Sequence, residues 1–124
     1  MRTEGNEMSK DLRQRTKAYA LRIIKSYTVL PKTTEAQVIG KQFLRSGTSV
    51  GAHYHEAYRS RSDGEYVSKV SVAVQELEET AYWLELLTEA DIMPESRLTD
   101  LLQETSELTA IFVTGIKKIK DRVR

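Results

Sequence analysis

Apolar residues recur every three or four positions along most of the chain, in four separate runs, the spacing of helices with one buried face. The first run, Leu12, Tyr19, Ala20, Ile23, Ile24, Tyr27 and Leu30, predicts a helix over about 9–30. Pro31 ends it, because the residue before a proline avoids helical geometry. The second run, Ala36, Ile39, Phe43, Gly47, Val50, Tyr54 and Ala57, predicts a helix over about 34–60, opened by the capping-box spacing Thr34-Glu35-Ala36-Gln37. A second such box, Ser62-Asp63-Gly64-Glu65, opens a third helix over about 63–90 with Tyr66, Val70, Ala73, Val74, Leu77, Ala81, Leu84 and Leu87 inward. Pro94 suits the first position of a fourth helix over about 94–122, with Leu98, Leu101, Leu102, Leu108, Ile111, Phe112, Gly115, Ile116 and Ile119 inward. Residues 1–8 lack any period and predict a frayed tail. Short connections favour antiparallel neighbours, so the pattern predicts one all-α domain, an up-down-up-down four-helix bundle.

The stretch RSGTSVGAHYHEAYR, Arg45 to Arg59, stands out within the second helix. Gly47 and Gly51 lie four apart and share a face with Phe43, Val50 and Tyr54. Each glycine costs a helix about 1 kcal/mol relative to alanine. A neighbouring backbone packed close against the strip offsets that cost, so the stretch predicts a tight helical hub rather than a phosphate-binding loop. Arg45 and Arg59 are the parts of it that point to a partner.

Composition narrows the chemistry. The chain has 124 residues and no cysteine, which removes disulfides, thiol nucleophiles and thiolate metal sites. No apolar run approaches the ~20 residues that cross a bilayer, and the first residues do not form a secretory signal, so a cytoplasmic protein is expected. The histidines, His53 and His55, are two apart on one helix and point to different sides. No Glu-x-x-His pair exists for a di-iron site, and neither a nucleophile elbow nor a phosphate loop is present. The expectation is therefore no catalytic residue, no cofactor and no metal site.

Net charge is +1 but unevenly distributed: residues 63–92 carry one Lys against eight Asp and Glu. In an up-down-up-down bundle, one pole collects Lys10, Arg13, Arg15, Arg59, Arg61, Lys117, Lys118, Lys120, Arg122 and Arg124. The opposite pole gathers Glu85, Glu89, Asp91, Glu95 and Asp100 against Arg22, Lys25, Lys32 and Arg97. The basic pole is a candidate phosphate-binding surface, although cations at the end of the fourth helix also complement its dipole. The third helix carries Tyr82, Trp83 and Leu86 beyond its core stripe. Those three residues are candidates for a subunit interface, and Trp83 can equally widen the core.

Read together, the Arg45-Ser46-Gly47-x-Ser49-Val50-Gly51-Ala52 segment, Glu76 and Glu79, and the block Tyr82-Trp83-Leu84-Glu85-Leu86-Leu87 resemble the bacterial 23S ribosomal RNA intervening-sequence proteins. These are similar to the accessory variability determinants of diversity-generating retroelements. The family usually has asparagine where this chain has His53. The resemblance implies an antiparallel four-helix bundle, a ring-like homo-oligomer (commonly a pentamer) and no catalysis. It also implies RNA or DNA as partner, RNA ahead of DNA. Alternatively the protein is an adaptor, such as an accessory subunit of a reverse transcriptase, or a structural oligomer without nucleic acid.

Overall fold

The computed structural model describes residues 6–122, with backbone alone for 6–10. It contains α1 (Asn6–Thr28), α2 (Thr34–Tyr58), α3 (Asp63–Glu89) and α4 (Glu95–Arg122), and no strand among the described residues. The helices form an antiparallel up-down-up-down bundle, as the apolar pattern predicts. α1 already begins at Asn6, ahead of the expected Ser9. Thr33, one residue before the expected box, caps α2: its side chain accepts from the Ala36 N–H at 3.3 Å. Gln37, freed from the reciprocal capping role, accepts from the Tyr27 hydroxyl at 2.9 Å and donates to the Pro31 carbonyl at 2.8 Å. Ser62 caps α3 as expected, accepting from the Glu65 N–H at 3.1 Å. α3 ends through Asp91 in left-handed geometry (φ 61°), which a short polar side chain tolerates.

α2 is the closest-packed helix, lying between α1 and α3, while α4 packs on α3. α1 and α4 stand further apart and meet mainly through long side chains. Glycine explains the closeness at α2. A Cβ at Gly40 would fall 2.7 Å from Leu30 Cδ1, and one at Gly47 would fall 2.7 Å from Ile23 Cγ1. Gly51 is looser, its nearest neighbour being Thr16 Oγ1 at 3.4 Å. Gly115, expected on the core stripe, is half-buried with no described atom within 4 Å of a would-be Cβ.

Hydroxyls share the core with the apolar stripe. Thr16, Ser26, Ser46, Thr80 and Thr105 are all buried, whereas Ile24, expected inside, is 43% exposed. Tyr19 of α1 and Thr105 of α4 bond through their hydroxyls at 2.6 Å, and Ser46 of α2 bonds Thr80 of α3 at 2.8 Å. Thr80 and Thr105 also donate back to the Glu76 and Leu101 carbonyls, the bond that lets a hydroxyl sit inside a helix without an orphan donor. The Thr80 hydroxyl also bears on the Tyr19 phenol, so a polar layer crosses the core through all four helices.

Burial pushes the Tyr19 phenol up to about 12 from an ordinary 10. A group whose folded value is raised contributes stability below its unfolded value and loses it as pH climbs through the folded one. The melting temperature is therefore expected to decline between pH 10 and about 12. In Tyr19→Phe, circular dichroism melts should show a flatter alkaline limb; an identical slope in both proteins would remove Tyr19 from the explanation.

Candidate nucleic-acid interface

The start of α1, the end of α2, the start of α3 and the end of α4 meet at one pole, tied by Arg13 over the Tyr58 ring (4.3 Å to its centroid) and by Arg122 Nη2 to Asp63 Oδ2 at 3.3 Å. Of the cations expected there, Arg124 and the Lys10 side chain lie outside the described residues. Arg15 belongs to the bundle itself. Its guanidinium grips Glu104 through Nε (2.8 Å) and Nη2 (2.9 Å) and reaches Glu107 at 2.6 Å, closing the α1–α4 seam. Those carboxylates hold its proton more tightly than usual. The Glu107 carboxyl is held below its usual range by the Gln103 amide first and Arg15 second.

What remains is an exposed set. Arg59, Arg61, Lys117, Lys118 and Lys120 are exposed and make no ion pair among the described residues. Most carboxylates nearby are engaged: Glu56 with Lys69 at 2.9 Å, Asp63 with Arg122, and Glu65 with the Arg61 backbone N–H at 3.3 Å, whereas Asp11 is exposed and makes no ion pair among the described residues. Asp121, by contrast, is not free.

Beside this pole a groove of about 800 Å³ opens between α1 and α2. Thr48, Gly51 and Ala52 keep its α2 wall low, and Arg13, Lys17 and His55 line it. Arg13 Nε is buried there with no hydrogen-bond partner. The sequence reading did not anticipate this groove or its Lys17 and His55. Its signal in the sequence is the small pair Gly51-Ala52; the four-residue spacing pairs Gly51 with Gly47 as a close contact, and of the two only Gly47 is one. His53 is half-buried and bonds the Ser49 carbonyl through Nδ1 at 3.0 Å; a carbonyl only accepts, so this nitrogen carries the proton. Among the described residues no three acidic or histidine side chains gather as a metal site, and no helix is long and apolar enough to cross a membrane.

The residues singled out on the third helix lie on its far side. Tyr82 is 54% exposed and meets Trp83 edge-on, centroids 5.1 Å apart. Trp83 and Leu86 are half-buried, and Trp83 packs against the core cluster. The Trp83 indole donates to Glu79 Oε2 at 3.0 Å, and Arg45 pairs with both Glu79 and Glu76. Trp83 first and Arg45 second hold the Glu79 carboxyl below its usual range. Arg45, expected to face a partner, is thus part of an α2–α3 clasp, because α3 places two carboxylates one turn apart beneath it.

Comparison with known proteins adds a frame. Residues 9–114 match the family model described as 23S rRNA-intervening sequence protein. The chain is also similar to a crystal structure of a protein with unknown function from the S23 ribosomal protein family of Bacteroides thetaiotaomicron VPI-5482. The two share 30% identity over 88% of this chain and 97% of that one, with a TM-score of 0.80. No curated protein matches.

Proposed function

The chain belongs to the family of 23S rRNA-intervening sequence proteins, and from that premise we propose that it is a non-enzymatic, self-associating helical bundle that binds RNA through its basic pole. The observation that carries this reading is the set Arg59, Arg61, Lys117, Lys118 and Lys120, exposed at one pole while most carboxylates around it are engaged. Unpaired surface cations cost the fold little and release counterions when they meet phosphates. The groove beside them, with Arg13 and Lys17, extends the positive surface along α1. RNA is preferred to DNA because the family's own description ties it to ribosomal RNA.

Self-association rests on α3. Glu78, Glu85 and Glu89 are exposed on it together with Tyr82, a surface opposite in charge to the basic pole. An aromatic side chain rimmed by carboxylates suits contact with a second copy.

The test is binding of a short single-stranded RNA across a salt series, with light scattering on the same samples. Affinity is expected to fall linearly on logarithmic axes, by roughly 0.7 per phosphate contacted. Replacing Lys117, Lys118 and Lys120 with glutamate should lower it more than ~tenfold at low salt. Unchanged affinity in that variant, with its fold intact by circular dichroism, would remove the pole from the proposal. A monomeric mass at every concentration and salt would remove self-association.

A further inference from the structure

At the opposite pole, where the separation of α1 from α4 leaves their seam open, a cleft of about 530 Å³ lies between the end of α1 and the start of α4. Arg22, Lys25 and Arg97 line it, with Asp100 as its carboxylate and Val29 and Leu101 as apolar wall. None of the three cations makes an ion pair among the described residues. By sequence position these residues were scattered over a mildly acidic pole; the fold gathers them on one opening.

Two further features bear on what the cleft can hold. Ser26 is 7% exposed and lines it. Its hydroxyl makes no hydrogen bond among the described residues, and it is not one of the buried orphaned atoms, so it is open to the cleft. Arg97 sits in the first turn of α4 with Glu95, at the positive end of the helix dipole, where anions are favoured. Asp100 offsets only one of the three positive charges.

We propose that this cleft binds a phosphomonoester, its dianion held by the Arg22, Lys25 and Arg97 cations and by the Ser26 hydroxyl. The charge left over after Asp100 matches a dianion, and guanidinium forks match phosphate oxygens in pairs. The volume admits a nucleotide-sized group. Such a phosphate can come from a free mononucleotide or from the 5′ end of an RNA. The site lies at the pole opposite the basic face, so it stands or falls independently of RNA binding there.

Calorimetric titration of the full chain separates the possibilities. The probes are inorganic phosphate, a nucleoside 5′-monophosphate, the matching nucleoside, and one short RNA with and without its 5′-phosphate, all at constant ionic strength. Phosphate-bearing probes are expected to bind at least tenfold more tightly than their phosphate-free counterparts. A response confined to the mononucleotide, or to the phosphorylated RNA, identifies the source. Arg97→Gln and, separately, Arg22→Gln should each lower that affinity about tenfold, and Ser26→Ala severalfold, with the ligand-free melting temperature within a few degrees of wild type. Two results would overturn the proposal: equal binding with and without the phosphate, or full affinity retained in both folded arginine variants.

Discussion

Phe112→Ala is expected to lower stability by about 3–5 kcal/mol, the range for emptying a fully packed aromatic site. Phe112 is 2% exposed, its ring stacked on Tyr54 with centroids 5.2 Å apart and planes 24° from parallel. Tyr54 in turn meets Tyr66 edge-on at 6.3 Å and 78°. Three helices thus converge on one aromatic column, and deleting its α4 ring removes both the transfer energy and the ring stacked on Tyr54. The neighbouring rings are too rigid to fill the void. For a domain of this size the melting temperature should fall by roughly 10–20 °C. Urea titration measures the change directly, and Phe112→Leu, which keeps most of the volume, should cost less than about 1.5 kcal/mol. A loss below 1 kcal/mol for the alanine variant would mean that the column collapses to fill its own gap. The column also carries the ends of α2 and α4, so the variant should loosen the pole bearing Arg59 and Lys117 before the opposite one.

Gly47→Ala and Gly51→Ala are expected to move stability in opposite directions, although both replace a mid-helix glycine four residues from the other. Alanine gains about 1 kcal/mol in helix propensity at either place. At Gly47 its methyl would lie 2.7, 2.8 and 2.9 Å from Cγ1, Cγ2 and Cδ1 of Ile23. Ile23 is fully buried on α1, and a β-branched side chain on a helix has essentially one rotamer, so it cannot swing aside. The helices must separate, with a net loss of about 1–3 kcal/mol. At Gly51 the methyl would meet Thr16 at 3.4–3.5 Å, ordinary contact, and the propensity gain survives as about 0.5–1 kcal/mol. Combining Gly47→Ala with Ile23→Val trims one of the three clashing atoms and should recover part of the loss, which a double-mutant cycle reads as coupling. Equal melting temperatures for the two glycine variants would contradict the asymmetry.

The architecture was largely legible in the sequence, because helical periodicity and proline punctuation are local signals. Phe43, Val50, Tyr54, Leu77 and Leu108 are as buried as their spacing requires. The misreadings share a cause. Hydropathy patterns carry no term for hydroxyls that bond their own helix, so Thr16, Ser46, Thr80 and Thr105 were invisible as core. Ile24 marks the converse: apolar and near the stripe, yet rotated onto the surface. Gly40, seven residues before Gly47, is as close to α1, yet nothing local says which glycines another helix will touch.

The candidate site was legible only as a census of charge. Sequence position put Arg15 at the basic pole, but lateral partners decide availability, and Glu104 and Glu107 come from a helix about ninety residues away in the chain. The same lateral geometry makes a cleft of Arg22, Lys25 and Arg97. How far apart two helices stand depends on side-chain bulk summed along both, which no short window reports.

The crossing layer of Tyr19, Thr105, Thr80 and Ser46 has a consequence for alignment along the bundle axis. Apolar stripes are nearly self-similar under a slide of one turn, about 5.4 Å, so greasy contacts alone would tolerate several staggered packings. A hydroxyl pair at 2.6 or 2.8 Å is met at one stagger and broken at every other. The layer therefore acts as a vernier, selecting a single offset for α1 against α4 and for α2 against α3. Which charges end up level with one another at each end of the molecule is decided there, at its middle.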